Sequence, residues 1–576
     1  MSRPTALATR PAEVVTRLTG RRTATLVATA TWLLGAGTVA SALLPPARGR
    51  LRALTELVPL TGTETAAAVA ASLGVLLCFL AGGLRRRKRR AWLTAVVVTV
   101  VVALAHLAKG LDVEESVASL AVLGLLVGTR RNFRAEGDPT SRWLAVRRFL
   151  QLVAIGTGLG MLLLQAYGDR VLGRPSLALQ LRHVLLGLVG VPGPLRFSDD
   201  GGDLVAAVLL GFGLLTAFMT AYLVLRSAEP PARLAPADET RLRELLSRHG
   251  GRDSLGYFAL RRDKSVVWSG SGKAALTYRV VHGVLLVSGD PIGDPEAWPG
   301  AITEGLELAR RHAWVPAVIA CGSRGATVWA RHGLDAYELG DEAVLDVTAF
   351  SLAGRSMRGV RQAVSRIERA GFTAEVRRTG EVPAGELAQL VSVAAAWRGG
   401  GVERGFSMAL SRIGDPADPD CVVVTAHQDG TLRGLLHFVP WGEDGLSLDL
   451  MRRDRTADNG LNEFLVAALV EACPALGVRR LSLNFAVLRS ALERGERLGA
   501  GPVARAWRTV LVWASRWWQI ETLYRFNAKF QPDWEPRYLC FPSARELPRI
   551  AVAALEAEAF LVRPRPLRDW IGRPLG

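Results

Sequence analysis

The sequence predicts a polytopic α-helical membrane domain followed by a cytoplasmic α/β domain. The mean hydropathy of the 576-residue chain is +0.21, which is high for a wholly soluble protein. Apolar stretches near the ~20 residues needed to cross a bilayer occur only before residue 227, whereas residues 237–576 alternate strand-like and helix-like patterns. Positive charge follows the same division, because residues 1–226 carry +14 of the formal net charge of +18.

About six spans fit the membrane domain, residues 1–226. They cover about 23–44, 65–84, 91–107, 113–127, 149–166 and 204–225. Short cytoplasmic loops are rich in Lys and Arg, and with six spans one side carries 17 basic residues and the other side 8. The chain is therefore predicted to enter the cytoplasm after Leu225. The apolar segment 177–190 is interrupted by Arg182 and His183, which favours an interfacial helix over a seventh span.

A linker rich in Pro and Ala, residues 227–236, precedes two clusters of strand and helix patterns, 237–345 and 346–576. The strand-like runs are VVWSG, GVLLVSG, VPAVIAC, CVVVTA and LRGLLHFV, and the helix-like stretches are 300–312, 354–370, 460–472 and 546–560. Each cluster has enough strands and helices for one compact unit. We therefore predict two α/β units in tandem.

Motifs of hydrolases, kinases and zinc enzymes are missing from the sequence, which has no Walker A loop, HExxH or GxSxG. The glycine-rich string GSGKAA at 270–275 lacks the spacing of a phosphate-binding loop, so we predict a hairpin turn there. Five cysteines are scattered without CxxC pairing, which indicates neither a disulfide framework nor a zinc site.

Five arginines recur at helical spacing between residues 354 and 369. They are Arg355, Arg358, Arg361, Arg366 and Arg369. This spacing predicts a basic face on one helix. Two interpretations remain open: the face is simply solvated, or it contacts a polyanion such as tRNA, whose backbone binds arginine regardless of sequence.

The string LSLDLMRRDRTADNGLNEFL predicts a strand, a loop and the start of a helix. Asp449 ends the strand, and the helix opens near Asn459 and Gly460. A helix N-terminus presents unpaired N–H groups, which suit an anion or a developing oxyanion. Asp449 could bind an ammonium group or assist proton transfer, and Arg452 and Arg453 could hold phosphate. A structural Asp–Arg pair is the alternative.

A third polar string, LYRFNAKFQPDWEPRYLCFP, alternates aromatic and basic residues. The aromatic residues are Tyr524, Phe526, Phe530, Trp534 and Tyr538, and the basic residues are Arg525, Lys529 and Arg537. Together they could supply stacking surfaces and phosphate contacts. A packed aromatic segment near the C-terminus is the alternative.

Five strings occur here in the order typical of one bacterial enzyme family. They are YRVVHGVLLVSGDPIGDP at 278–295, FSLAGRSMRGVRQAV at 350–364, ERGFSMA at 403–409, SLDLMRR with NGLNEFL at 447–465, and NAKFQPDWEPRYL at 527–539. Over about 260 residues the chain resembles the phosphatidylglycerol aminoacyltransferases, the lysylphosphatidylglycerol synthase or multiple-peptide-resistance-factor family. Five ordered matches are more specific than any one of them.

This resemblance implies two tandem acetyltransferase-like (GNAT) folds that move an aminoacyl group, most commonly lysyl, from aminoacyl-tRNA to the glycerol hydroxyl of phosphatidylglycerol. The product is less anionic, so the membrane attracts cationic antimicrobial peptides less strongly. An aminoacyl ester is already activated, so the resemblance implies no cofactor, metal or covalent nucleophile. The implied location is the bacterial inner membrane, with the soluble domain in the cytoplasm. DNA is not an expected partner, and homo-oligomerisation is left open.

The family's DLMR and KF…WEPRY motifs match Asp449, Arg452, Lys529 and Arg537, which form the implied catalytic set. Asp449 would orient the donor amino group or accept the acceptor proton, and Arg452 and Lys529 would stabilise phosphate or an oxyanion. The further expected substrate contacts are Arg453, Asn459, Gly460, Glu403, Arg404, Glu535, Tyr538, Arg358 and Arg361. An internal Glu–Arg pair that fixes a loop would equally explain Glu403 and Arg404.

Three rival functions remain at this point: tRNA-dependent transfer to a peptidoglycan precursor, acyl-CoA-dependent acetylation, and a catalytically inactive membrane-anchored sensor or scaffold. An acyl-CoA enzyme should show a glycine-rich pyrophosphate loop of the R/QxxGxG/A type, whereas RRDRTADNG at 452–460 contains a single glycine. An inactive scaffold would not need to keep the four residues of the implied catalytic set together.

Overall fold

The computed structural model describes residues 10–43, 60–110, 113–133, 135, 140–198, 201–226, 229–399, 402–403, 405–487 and 520–562. The chain divides into two compact units. One comprises residues 1–228 together with 310–313, and the other comprises the rest of residues 229–576.

The first unit is helical throughout its described length. Its helices are α1 (Arg10–Leu43), α2 (Leu60–Arg85), α3 (Arg89–Gly110), α4 (Val113–Gly128), α5 (Thr140–Ala166), α6 (Leu177–Leu188) and α7 (Gly201–Leu225). Each of the six predicted spans falls on one of these helices, so the helix predictions are confirmed. Many of their apolar side chains are exposed, including Leu33, Val97, Leu104 and Leu162. Such an apolar surface is typical of helices that face lipid.

Length and composition identify membrane spans within this unit. Among the described residues, three helical segments are long and apolar enough to cross a membrane: Arg22–Ser41, Trp143–Ala166 and Gly201–Leu225. Helix α6 has 12 residues, which corresponds to about 18 Å and is shorter than the ~30 Å hydrocarbon core. This length supports the interfacial helix predicted for the segment 177–190.

The second unit alternates strands and helices. Its strands are β1 (Ser265–Trp268), β2 (Ala274–Val281), β3 (Val284–Ser288), β4 (Ile292–Gly293), β5 (Val315–Cys321), β6 (Asp335–Asp346), β7 (Phe372–Arg378), β8 (Val422–Gln428), β9 (Thr431–Trp441), β10 (Gly445–Arg453), β11 (Arg480–Val487) and β12 (Asp533–Phe541). Its helices are α8 (Pro236–His249), α9 (Trp298–Arg311), α10 (Ser323–Arg331), α11 (Arg358–Arg369), α12 (Ala384–Arg398), α13 (Leu461–Ala472), α14 (Ile520–Ala528) and α15 (Leu547–Ala557). Every strand-like run and helix-like stretch named from the sequence falls on one of these elements, and the GSGKAA string forms the β1–β2 hairpin.

All described strands belong to one sheet, in the order β1-β2-β3-β5-β12-β6-β11-β10-β9-β8-β7, with β4 paired to β2. Several strands pair with strands that are not their sequence neighbours. Strand β12 lies between β5 and β6, and β6 lies between β12 and β11. The predicted clusters 237–345 and 346–576 therefore share one continuous sheet, in which a late strand joins the early half.

Helices cover both faces of the later half of this sheet. On one face, α11 and α13 bury Ile367 and Leu465 against Leu436 and Phe438 of β9. This packing leaves the five arginines between 354 and 369 exposed. Four of them form the predicted basic face of α11, whereas Arg355 precedes the helix. On the other face, α12 packs Leu390 and Ala394 against Leu435 and Leu450. These two layers position the strand that carries Asp449.

Candidate active site

A β-bulge in strand β10 determines where Asp449 points. In a regular strand, Asp449 and Arg452 would face opposite sides of the sheet, because side chains alternate and the two are three residues apart. The register against β9 shifts between Leu448 and Leu450, so Asp449 is the extra residue of a bulge. Beyond the bulge, Leu450 and Arg452 both contact helix α12. The bulge brings Asp449 to this same face.

Asp449 pairs with a histidine that the sequence reasoning did not single out. Its Oδ2 lies 2.7 Å from Nδ1 of His437 on β9, and its Oδ1 accepts the backbone N–H of Leu410. The side chains of Asp449 and His437 are 2% and 1% exposed. Among the described residues, the carboxylate therefore pairs with a buried imidazole rather than with an arginine.

The second ring nitrogen of His437 is left without a partner. Nε2 is buried and has no hydrogen bond within the described part of the chain. The residues opposite His437 on the two neighbouring strands, Val423 and Leu450, are apolar. A buried polar atom without a partner costs about 1–3 kcal/mol. The only sequence signal for this residue was a histidine within the apolar run LRGLLHFV.

Arg452 forms a compact charged group with two residues near the end of α12. Its guanidinium donates to Glu403 Oε1 at 2.6 Å and to the carbonyl of Ala394 at 2.7 Å. Arg398 donates to the other oxygen of Glu403. Two arginines thus share one carboxylate, and the surplus positive charge favours a phosphate or an oxyanion nearby. Arg404, the other expected contact in this segment, lies outside the described residues.

The sheet opens next to Asp449. Strand β10 pairs with β11 in parallel only as far as Ser447 and Ser482. Beyond that point, Asn484 Nδ2 donates to the carbonyl of Leu448 at 2.7 Å, so a side chain replaces the backbone ladder. The Oδ1 of Asn484 is buried without a partner among the described residues. Asn484 is a second residue that the sequence reasoning missed, because only strand pairing reveals the gap.

The predicted strand–loop–helix junction is present, but the prediction that Asp449 ends the strand is wrong, because Asp449 lies at the bulge within β10. Strand β10 ends at Arg453, and α13 begins at Leu461 after Gly460, which has φ 103°. A Cβ at Gly460 would lie 3.0 Å from the Cβ of Ala363 on α11, so this junction requires glycine. Arg453 donates to the carbonyl of Ala457 at 2.9 Å within the loop. The carbonyl of Asn459, the residue before this glycine, accepts a hydrogen bond from Arg366 of α11.

Lys529 follows α14 and lies next to the first turn of α13, on the face of the sheet away from α12. Its Nζ is 2.7 Å from Oε1 of Glu463, and its side chain is 51% exposed. Phe530, the next residue, packs in the core between α11, α13 and the sheet. The hydrogen bonds of Lys529 therefore connect it to α13 rather than to Asp449 or Arg452.

Arg537 belongs to a buried ionic network in the early half of the sheet. Its guanidinium donates to Asp253 Oδ1 at 2.7 Å, to Glu342 Oε2 at 2.9 Å and to a serine hydroxyl, that of Ser254, at 2.6 Å. Its side chain is 4% exposed. Burial and the nearby Asp253 raise the pKa of Asp290 in this network to about 7. The structure thus separates Arg537 from the contacts of Asp449.

The remaining expected contacts lie on two elements. On β12, Glu535 is opposite Glu342. Burial raises the pKa of Glu535, and repulsion from Glu342 raises it further. Tyr538 of the same strand packs against the core of the early half. On α11, Arg358 and Arg361 are both exposed. Arg361 also donates to carbonyls of the preceding loop.

Two family models match the chain. One is described as phosphatidylglycerol lysyltransferase, C-terminal, and matches residues 243–541; the other is described as the transmembrane region of lysyl-tRNA synthetase and matches residues 21–225. The lysylphosphatidylglycerol biosynthesis bifunctional protein LysX of Rhodococcus jostii is 42% identical over 501 residues, and that of Mycolicibacterium vanbaalenii is 44% identical over 500 residues. These alignments cover 86% and 85% of this chain and 45% of each relative. The chain thus spans a little under half the length of these relatives.

A solved structure is also similar. L-PGS from Bacillus licheniformis is 23% identical, with a TM-score of 0.48, and the match covers 58% of this chain and 99% of that chain. The lysyltransferase family model spans more than half of the 576 residues and includes all of β10. By this match, the chain belongs to the phosphatidylglycerol lysyltransferase family.

Proposed function

We propose that the chain transfers an aminoacyl group, with lysyl as the first candidate, from aminoacyl-tRNA to the glycerol hydroxyl of phosphatidylglycerol. The observation that carries this proposal is the match to the lysyltransferase family over residues 243–541. Strand β10 lies inside that match and brings Asp449 and Arg452 to one face of the sheet. The names of the LysX relatives refer to synthesis of the same class of lipid.

The reaction is an exchange of esters. The acceptor hydroxyl attacks the aminoacyl carbonyl, a negative charge develops on the carbonyl oxygen, and the ribose oxygen of the tRNA leaves. Such a reaction needs a proton acceptor and a positive group near the developing charge. The Asp449–His437 pair supplies the acceptor, and Arg452 supplies the positive group, since Arg452 and Arg398 share a single carboxylate.

Exposed basic residues suit the polyanionic donor. Arg358 lies on the exposed face of α11. Lys529 is half exposed beside the first turn of α13. Arginine and lysine contacts with phosphates contribute most of the sequence-independent affinity for nucleic acids. We propose that these two residues contact the backbone of the tRNA.

We propose that the first unit holds the chain in the membrane that contains the acceptor lipid. We propose six spans, with the second unit in the cytoplasm of a bacterial cell, where aminoacyl-tRNA is made. The three apolar helices and the basic loops of the first unit support this topology. Adding an amino acid to phosphatidylglycerol reduces the negative charge of the membrane, and lower susceptibility to cationic antimicrobial peptides follows.

Lipid analysis tests the proposal directly. Lipids are extracted from cells that express the intact chain, Asp449→Ala or the control Asp420→Ala, which changes an exposed aspartate before β8. We expect phosphatidylglycerol species heavier by one amino-acid residue with the intact chain and the control, and not with Asp449→Ala. The mass identifies the amino acid. An unchanged lipid profile with a membrane-inserted intact chain would contradict the proposal, and cell-wall precursors should then be searched.

A further inference from the structure

The hydrogen bonds of the Asp449–His437 pair favour one tautomer of the neutral ring. Both carboxylate oxygens of Asp449 face nitrogen atoms: the backbone N–H of Leu410 at Oδ1 and Nδ1 of His437 at Oδ2. A carboxylate that accepts at both oxygens is matched by an Nδ1 that carries the hydrogen. In the neutral ring, Nε2 then has a free lone pair and can accept a proton.

The environment of Nε2 is unusual for a structural histidine. A buried imidazole normally uses both nitrogens, because an unpaired polar atom is costly away from water. Here Nε2 is buried without a partner among the described residues, and its cross-strand neighbours are apolar. The arrangement of an oriented imidazole with one free nitrogen is the one used for general bases, in which the carboxylate fixes the ring.

We propose that His437 is the general base of the transfer reaction and that Asp449 is its positioning residue; this inference rests on the proposed function. Nε2 takes the proton from the acceptor hydroxyl while the oxygen of that hydroxyl forms a bond to the aminoacyl carbonyl carbon. The bond from that carbon to the ribose oxygen then breaks, and Nε2 gives the proton to this oxygen. One ester replaces another, and no proton is gained or lost overall.

The segment 405–411 contacts the carboxylate of this pair. Leu410 bonds directly to Asp449, while the carboxylate of Glu558 accepts the N–H of Phe406 at 2.6 Å and Arg261 donates to the carbonyl of Ala409 at 2.9 Å. These contacts hold Leu410 against Asp449. Because Nε2 is buried, the proposed step requires that it become accessible to the acceptor hydroxyl.

The variant His437→Asn distinguishes two roles of this residue, as a base and as a structural hydrogen-bond donor. The Asn amide can still donate to Asp449 in place of Nδ1, but it has no basic nitrogen in place of Nε2. The matched control is His427→Asn on the neighbouring strand β8, where the histidine is half-buried. Transfer from labelled aminoacyl-tRNA to phosphatidylglycerol is measured with the full-length chain in membranes. Thermal unfolding of each purified variant shows whether it is folded.

We expect His437→Asn to lower kcat by about 100-fold or more, the usual contribution of a general base, with KM for aminoacyl-tRNA within about twofold of wild type. Asp449→Asn should lose a similar factor, and the double variant should lose no more than the more affected single variant, because the two residues act as one unit. The control should retain wild-type kcat.

A folded His437→Asn variant with more than about a tenth of the wild-type kcat would overturn this inference. If that variant does not fold, His437→Gln removes the same base with a longer amide and must lose the same factor; retained activity would again overturn it. A wild-type chain that transfers nothing would overturn the proposed function, and this inference with it. An active wild type with an active His437→Asn would overturn this inference alone.

Discussion

In each half of the sheet a glycine precedes a helix, directly after strand β5 in the early half and after a loop in the later half. In the early half, the N–H of Gly322, which precedes α10, donates to Oδ1 of Asp290 at 2.8 Å. In the later half, Gly460 precedes α13 without a side-chain cap. A helix N-terminus favours an anion. The carboxyl group of Asp290 takes this position in the early half, whereas in the later half the acidic residue in the first turn of α13 is Glu463.

The buried polar groups around Arg537 and those around Asp449 also differ. In the early half, Arg537 donates from all three of its guanidinium nitrogens to buried acceptors. In the later half, Nε2 of His437 and Oδ1 of Asn484 have no partner among the described residues. A satisfied network stabilises a fold, whereas unsatisfied buried groups are retained where a ligand or a reaction uses them. The comparison therefore predicts that substitutions in the Arg537 network affect stability and that substitutions around Asp449 affect activity.

Removing Arg537 should have the largest effect on stability. Arg537→Ala leaves Asp253 and Glu342 buried without their cation, which should lower the free energy of unfolding by about 3–5 kcal/mol. Thermal unfolding of the purified full chain measures the change. The control Arg358→Ala, at an exposed position, should stay within about 0.5 kcal/mol of wild type. Equal shifts for the two variants would show that the network does not stabilise the early half.

Removing Arg452 should affect catalysis instead. Arg452→Ala should lower kcat by roughly 10²–10³-fold, because it removes positive charge from the reacting centre. The fold should persist, since Glu403 keeps its bond to Arg398. The control is Arg455→Ala, which changes an exposed arginine in the loop before α13. A kcat for Arg452→Ala close to that of the control would contradict a catalytic role for this arginine.

Asp290 should make stability depend on pH. Its pKa is raised from 3.8 to about 7 by burial and by Asp253, so between these values the folded state binds more protons than the unfolded state. The free energy of unfolding therefore falls as pH rises through this window, by at most about 1.4 kcal/mol per pH unit. Asp290→Asn removes this contribution, so its stability relative to wild type should increase from pH 5 to pH 8.

The pH prediction needs a comparison between variants, because Lys264 acts in the opposite direction. Burial lowers the pKa of this lysine from 10.5 to about 7, so its contribution to stability is lost as pH falls towards 7. Denaturant unfolding of Asp290→Asn, wild type and the exposed control Asp420→Asn at several pH values separates the two. A stability difference between Asp290→Asn and wild type that does not change with pH would contradict the raised pKa.

The smallest expected effect concerns the basic face of α11. Arg358→Ala should weaken tRNA binding several-fold and reduce the slope of log affinity against log salt by about 1, because one phosphate contact is lost. The measurement is a salt titration of tRNA binding by the full chain, with Arg455→Ala as the control. An unchanged slope would favour the alternative interpretation of this face as a solvated helix side.

Local patterns explain what could be predicted of the fold and of the site. The basic face of α11 and the junction before α13 depend on spacing within one or two helical turns, so they were visible in the sequence. The pairing of His437 with Asp449 depends on the β9–β10 register and on a bulge, which alternation alone does not reveal. Lys529 and Arg537 belong to one motif, but their partners come from distant parts of the chain.

The sequence by itself determined the division into an apolar helical half and an α/β half, because hydropathy and periodicity are local properties. It also placed Gly460 before a helix. Only the tertiary structure decided that β12 joins the early half of the sheet, where Arg537 meets Asp253 across 284 positions of the sequence. The physical reason is that strand pairing joins residues far apart in the chain, and it is this pairing that distinguishes a buried ionic network from a reactive site.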